Sequence, residues 1–419
     1  MPDIPVSRWR LFTRFVTIVA VLLGSGFVVL LLMLGGFVTG GPKRAKRMAY
    51  RGFVRTLQIL GPTFVKFGQT SSTRRDTMPA ALCDELSTLH DSVRPMSRRK
   101  AARALREADI EGLEVAPDPS ASGSIACVYR GELPDGRVVA VKLKRPGIEG
   151  RMRADLALTR SMVRRMEKMP KMRGMPMADL VGYISTAILG QLDFAREARN
   201  IARLRQCLSE IPQIRVPAVY PELSTADCLL FEYLPQLDTA TPEALPTDVR
   251  ATLAKRTLEA ANRMMFAEGF VHCDLHPGNV YLTRDQRVVI LDAGYCVQLP
   301  ERVRELIGEF FSCLALGDGD RCGEIVLESA VDPGEVDRAA FVAETAAIVA
   351  EHAGPDVEFD MKVFGDKVFQ LQQKHGIYTA SDFAFPLMSL TVLDGTIRRL
   401  SEEADFQQVG VARGGREWR

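Results

Sequence analysis

The sequence predicts an α+β chain: one apolar helix long enough to cross a bilayer, a helical extension, a strand-rich lobe and a helix-rich lobe. Three observations carry this. No charged residue occurs from Phe15 to Pro42, a run longer than the roughly 20 residues that span a membrane. Alternating apolar residues on either side of Pro134-Asp135-Gly136 read as a hairpin of two strands. The segments from Val249 to Glu268 and from Glu301 to about Glu403 are helical in pattern. The expected organisation is an anchor over residues 1–45, a helical extension over 46–112, a strand-rich lobe over 113–235, a helix-rich lobe over 236–405 and a disordered tail over 406–419.

Composition bounds the function. A chain of 419 residues, 47% hydrophobic and 25% charged, can build two or three packed units. The net charge of +2 gives no overall field for a nucleic acid, so no nucleic-acid partner is expected. The eight cysteines are scattered, with no C-x-x-C pair and no zinc spacing, and read as reduced thiols. After the apolar run come Lys43, Arg44, Lys46, Arg47 and Arg51, against Arg8, Arg10 and Arg14 before it. The larger cluster favours a single pass with the following domain in the cytoplasm.

Residues from Ala49 to about Leu113 carry apolar positions at helical spacing, broken at Gly61-Pro62 and Met78-Pro79. The polar block Lys66 to Asp76 between those breaks reads, on pattern alone, as a solvated helix turn with a Ser or Thr cap. The segment Ser120 to Gly147 follows, its second strand ending Val138-Val139-Ala140-Val141-Lys142. Arg151 to Met177 is basic and methionine-rich; it reads as a solvated connecting helix or as a face toward the membrane surface. Gln191 to Arg205 is an amphipathic helix with Leu192, Ala195, Ala198 and Ile201 as candidate buried positions. Cys228 to Pro235 reads as a buried strand, through Glu232, leading into a hinge whose backbone can hold an adenine.

The chemistry concentrates between Val271 and Gly294. Asp274 precedes Asn279 by five residues, and Asp292 follows the apolar run Val288 to Leu291 and precedes Ala293-Gly294. Phosphoryl transfer from a nucleotide needs a carboxylate near the attacking oxygen, and a carboxylate and an amide to hold magnesium, because hard cations take oxygen ligands. Short Asp, Pro and Gly motifs also make ordinary turns, so the spacing alone does not decide. The protein-kinase catalytic loop and its D-F-G metal motif share this frame. Aligned on Val128, the kinase glycine loop becomes Ala121, Gly123, Ala126 and Val128, with Ser122, Ser124 and Ile125 between them, so two of three glycines are absent. The added methyls limit how closely the backbone approaches a nucleotide. Lys142, 14 residues beyond Val128, stands where the kinase lysine meets the α/β-phosphates, and Glu197 is the best candidate to pair with it.

With these pieces in place the chain resembles the UbiB family of atypical kinase-like proteins, also called AarF or ADCK proteins, over roughly Leu57 to Leu400. Lys66-Phe67-Gly68-Gln69 is similar to the family's K-x-G-Q signature, with Ser72-Thr73-Arg74 and Asp76-Thr77-Met78-Pro79 completing that segment. Ala121 to Tyr129 resembles the alanine-rich loop, and His272 to Asn279 the H-x-D-P-H-P-G-N stretch. No A-P-E segment follows Gly294. Three positions depart from the pattern. Gln191-Leu192-Asp193 stands for the family's E-x-D, Gly123 replaces a loop alanine, and Ala293 replaces the Phe of D-F-G.

The resemblance implies a protein-kinase-like two-lobed fold in which K-x-G-Q helices cover the place of a protein substrate. Lys66, Gly68, Gln69, Gln191 and Asp193 would then be regulatory. It implies ATP and Mg2+ as cofactors, with Lys142 on the phosphates, Glu197 positioning Lys142, Asp274 orienting the attacking oxygen, and Asn279 and Asp292 on magnesium. The implied function is a membrane-anchored ATPase or small-molecule kinase in ubiquinone or other isoprenoid-lipid biosynthesis. Its partners would be a membrane lipid or quinone precursor and proteins of a biosynthetic complex. The alternatives are a nucleotide-gated scaffold or lipid-extraction protein, and a conventional protein kinase, which the missing substrate segment disfavours.

Overall fold

The computed structural model describes residues 7–72, 78–90, 95–166, 177–235, 241–275, 278–331, 336–353 and 359–401. Thr73 to Thr77 of the motif segment, His276-Pro277 of the catalytic stretch, part of the methionine-rich stretch and the expected tail lie outside these residues. Two compact units emerge. The first comprises residues 1–74, 78–195 and 221–230, and the second residues 75–77, 196–220 and 231–419.

In the first unit, α1 (Arg8–Leu60) holds the apolar run and is long and apolar enough to cross a membrane. It is not straight. Gly40 and Gly41 leave helical geometry and Pro42 follows them. Gly41 adopts φ 72, which costs a residue without Cβ little, and Pro42 supplies no backbone N–H, so the helical ladder breaks here. Next come α2 (Pro62–Ser71), with proline in its first turn where no N–H is needed, α3 (Ala80–Ser87) and α4 (Arg98–Ala108). Val54, Leu57, Val65, Leu86 and Leu89 pack α1, α2, α3 and the turn after α3 into one apolar cluster.

The strands β1 (Glu114–Val115), β2 (Ala121–Ser122), β3 (Ala126–Glu132) and β4 (Val138–Lys144) follow. The hairpin predicted around Pro134-Asp135-Gly136 is the β3–β4 pair, in which Val128 stands opposite Lys142 and Glu132 opposite Val138. Helices α5 (Ile148–Met166) and α6 (Met177–Gly190) come next, then α7 (Phe194–Leu208), which enters the second unit at Arg196. The predicted amphipathic helix therefore starts after Gln191 and Asp193, which form the turn before it.

The remaining strands are β5 (Ile214–Arg215), β6 (Cys228–Glu232), β7 (Phe270–His272), β8 (Val280–Thr283), β9 (Arg287–Ile290) and β10 (Cys296–Gln298). One sheet runs β1-β3-β4-β6, with β2 on β3; β7 pairs with β10, and β5-β9-β8 form a third sheet. Helix α8 (Thr247–Asn262) precedes β7, and α9 (Glu301–Leu316), α10 (Gly319–Glu328), α11 (Arg338–His352), α12 (Met361–His375) and α13 (Ser381–Leu400) complete the second unit. No disulfide joins the eight cysteines.

Candidate nucleotide and metal site

In the first unit, β2 and β3 hold the alanine-rich loop. Ala121 pairs with Val128 and Ser122 with Cys127, and the Gly123 N–H closes the turn onto the Ala126 carbonyl at 2.8 Å. Ser124, Ile125 and Ala126 are buried, whereas Ala121 and Gly123 are exposed. A Cβ on Gly123 would meet only the Ala126 carbonyl oxygen, at 3.4 Å, and its φ is not left-handed. An alanine would fit, so the fold itself does not demand glycine there.

Sequence reasoning missed the residue that holds this loop. Arg145 donates from Nε to the Gly123 carbonyl at 3.0 Å and from Nη2 to Ser122 Oγ at 3.0 Å, and its N–H donates to the Ile125 carbonyl at 2.9 Å. Its place three residues beyond Lys142, at the end of the strand, was the available signal. Phe194 was missed as well. This buried ring lies 5.6 Å from Lys142 Nζ and 5.0 Å from Lys144 Nζ, within cation–π range. Lys144 is tied further to the Ala226 carbonyl at 2.6 Å and Asp227 at 2.8 Å. Of the two lysines on β4, only Lys144 is buried, which makes it a packing residue and leaves Lys142 as the phosphate candidate.

Two of the K-x-G-Q residues, Gly68 and Gln69, have packing tasks. Gly68 is buried, and a Cβ there would lie 2.4 Å from Leu89 Cδ1, 2.9 Å from Leu57 Cδ1 and 3.2 Å from Leu86 Cδ2. Gln69 donates its amide to the Leu89 carbonyl at 2.8 Å, which tethers α2 to the turn after α3. Lys66 is half-buried on α2. Gln191 is buried after α6, with its N–H on the Ala187 carbonyl, and Asp193 is exposed beside it.

In the second unit the catalytic stretch is built around a buried histidine. His272 ends β7 with no exposure; its Nδ1 accepts the Asp274 N–H at 3.1 Å and its Nε2 lies 3.3 Å from the Leu291 carbonyl. A carbonyl only accepts, so Nε2 carries the hydrogen and the ring is neutral. Burial pushes its pKa below the ordinary 6.5, against the pull of Asp274. Ser389 on α13 adds a hydrogen bond to the His272 carbonyl at 2.8 Å. One ring thus fixes the chain both before Asp274 and before Asp292.

Asn279 Nδ2 donates to the Asp274 carbonyl at 2.8 Å, and the Asn279 carbonyl accepts from Leu291 N–H at 2.8 Å. Asp274, Asn279 and the strand end that leads to Asp292 are therefore brought together. Asp292 is exposed and sits at φ 54, a left-handed conformation uncommon for a residue with a Cβ. The Gly294 N–H donates to its Oδ1 at 3.2 Å, and Asn200 on α7 holds the Ala293 carbonyl at 2.9 Å. Ala293 is buried, so the small residue replacing Phe fills its own place. Glu197 is buried in the first turn of α7, and both it and Asp292 push the Cys296 thiol up, after burial itself. The carboxylate of Glu232 is already engaged: it accepts from Arg215 at 2.6 Å and from the Ala218 N–H at 3.1 Å. It braces the chain end of β6, and its own N–H goes to the Ala218 carbonyl at 2.7 Å.

The donor set fits a hard cation. Asn279 uses its amide nitrogen internally, and the amide oxygen is the atom such a cation takes. Among the described residues no group of three or more His, Cys, Asp or Glu side chains converges as a metal cage.

Residues 88–326 match the ABC1 atypical kinase-like domain. The chain is 29% identical over 390 residues to Protein ACTIVITY OF BC1 COMPLEX KINASE 7, chloroplastic, of Arabidopsis thaliana, covering 90% of this chain and 56% of that protein. It is 27% identical over 366 residues to the Probable protein kinase UbiB of Azotobacter vinelandii, covering 84% of this chain and 68% of that one. The chain thus spans 56% to 68% of the length of these curated relatives. The solved complex of Rv3197 with erythromycin from Mycobacterium tuberculosis is similar in fold, with a TM-score of 0.51 at 23% identity, covering 80% of this chain and 90% of that one.

Proposed function

Since the chain belongs to the ABC1 atypical kinase-like family, the group that includes UbiB, we propose that it is a membrane-anchored, Mg-ATP-dependent ATPase or small-molecule kinase. Its place is in ubiquinone or other isoprenoid-lipid biosynthesis. The observation that carries this reading is the loop ordered by neutral His272, which brings Asp274 and Asn279 together and ends at the exposed, left-handed Asp292.

In this reading the turn between β2 and β3, clamped by Arg145, presents backbone to the nucleotide. Lys142 neutralises phosphate oxygens. The oxygens of Asn279 and Asp292 would hold magnesium, which would supply charge neutralisation at the phosphates. Asp274, whose backbone is fixed from both sides by His272 and Asn279, orients the attacking oxygen of water or of a small acceptor. The apolar helix keeps the protein at the surface where isoprenoid substrates reside.

The test is phosphate release by the full chain with and without phenolic quinone precursors and liposomes, beside Asp292→Asn. Magnesium-dependent release in the parent and its loss in the variant support the reading. Release that is indifferent to Asp292 would remove the catalytic stretch from the reaction.

A further inference from the structure

The N-terminal helix does not extend away from its unit. Past the break at Gly40-Gly41 it returns antiparallel along itself, as close approaches between residues far apart in sequence require. A Cβ on Gly36 would lie 3.0 Å from Ala45 Cα, and one on Gly52 would lie 2.5 Å from Val29 Cγ2. Arg14, at the far end, reaches the Leu60 carbonyl with Nη2 at 2.6 Å. A straight helix rises about 1.5 Å per residue, so Arg14 and Leu60 would otherwise be on the order of 70 Å apart. Glycine at both crossing points lets the two backbones approach.

The two arms differ in chemistry. On the first, the partly buried positions recur every three or four residues, through Ile18, Val21, Val29 and Gly36, and form the seam. From Phe15 to Val38 the exposed positions of that arm are mostly apolar: Leu23 is 73% exposed, Phe27 63%, Phe37 61% and Val38 85%. The returning arm carries Lys43, Arg44, Lys46, Arg47, Arg51 and Arg55, all exposed, beside the second half of the apolar run. Arg47 and Arg51 approach Glu85 at 3.1 and 3.2 Å yet stay largely in solvent.

The base of the hairpin is locked. Arg14 grips fully buried Asp155 with Nε at 2.5 Å and Nη2 at 3.0 Å; Thr63, in the first turn of α2, donates to the same carboxylate at 2.6 Å. Arg151 joins Arg14 on the Leu60 carbonyl at 3.0 Å. Driving residues 15–42 across a bilayer in this conformation would carry six cations to hydrocarbon depth. Straightening the hairpin to avoid that would pull Arg14 from Asp155 and strip a buried carboxylate of its bidentate guanidinium partner.

We propose that this hairpin is an in-plane anchor that sits in one leaflet of an anionic lipid surface and does not cross it. The apolar arm enters the acyl boundary and the basic arm meets the headgroups, the division of labour of interfacial helices. The Arg14–Asp155–Thr63 junction joins that anchor directly to the helix bearing Lys66, Gly68 and Gln69. This rests on the membrane association proposed above and replaces a single pass by a topology with both ends of the apolar run on one side.

The test adds full-length protein to preformed vesicles, so that the folded body stays outside, and uses two single variants, Ser7→Cys and Thr39→Cys. An impermeant maleimide is applied before and after detergent, with the parent chain as the blank for native thiols. Equal labelling of both variants without detergent is expected. Labelling of either one only after detergent would establish a span and overturn the proposal. In flotation, the pair Lys43→Gln with Arg44→Gln should weaken binding to vesicles containing phosphatidylglycerol about tenfold and leave binding to phosphatidylcholine unchanged. Failure of the parent to float on either vesicle, together with a concentration-dependent dimer, would mean that a second copy covers the apolar arm. Magnesium-ATP thermal shifts on the same samples report the nucleotide reading separately, since they need no lipid.

Discussion

The helix Pro62–Ser71 and the stretch from Val271 to Gly294 both carry residues that the sequence marks as a signature, yet the two use them in opposite ways. In the first, Gly68 is pressed among three leucine side chains and Gln69 is bonded to a backbone carbonyl. In the second, a buried histidine carries the structural load, and Asp292 is left at the surface in a left-handed turn. A motif is a list of residue types. Whether those residues do chemistry depends on which atoms remain available after packing, and that differs between these two regions.

Asp292→Asn should lower magnesium-dependent phosphate release by on the order of 100-fold, the scale of losing one electrostatic group at a reacting centre, while the unfolding temperature barely moves. Phosphate release and thermal denaturation on the same preparation check both halves. Next comes Gly68→Ala, which should destabilise the first unit by about 1–3 kcal/mol through overpacking against Leu57, Leu86 and Leu89. Denaturant unfolding reads it; an unchanged midpoint would show that the three leucines simply move aside.

A third prediction concerns pH. His272 is held neutral with its pKa below 6.5, so the unfolded chain binds the proton more readily. Its contribution to stability is present above pH 6.5 and declines as pH falls toward the lowered folded value, with a slope of at most about 1.4 kcal/mol per pH unit. Unfolding midpoints from pH 8 to 5 should fall less steeply in His272→Asn than in the parent. The smallest effect is expected for Arg145→Ala. It removes two side-chain hydrogen bonds from the alanine-rich turn and should weaken ATP binding several-fold, about 0.5–1.5 kcal/mol, as calorimetry would show.

Much of this was legible in the chain. The β3–β4 hairpin follows from alternation around Pro134-Asp135-Gly136, and the helices after Glu301 from their apolar spacing. The grouping of Asp274 with Asn279 was readable from a five-residue interval. What was not legible depends on long-range contacts. The run to Pro42 reads in sequence as one uninterrupted apolar helix, and its break at Gly40-Gly41 and return onto itself are shown by contacts such as Val29 with Gly52 and Arg14 with Asp155. The engagement of Glu232 by Arg215 and of Gln69 by Leu89 likewise joins residues whose separation carries no periodic signal.

We propose that the catalytic stretch holds the metal and nucleotide, whereas the signature glutamine on α2 braces the fold. Calorimetric titration of ATP, with and without magnesium, into the parent, Asp292→Asn and Gln69→Ala tests it most directly when paired with the unfolding temperature of each. Asp292→Asn is expected to lose the magnesium dependence and keep its stability, and Gln69→Ala to keep the magnesium dependence and be less stable by about 1 kcal/mol. The reverse pattern, with magnesium-dependent binding intact in Asp292→Asn and lost in Gln69→Ala at unchanged stability, would contradict it.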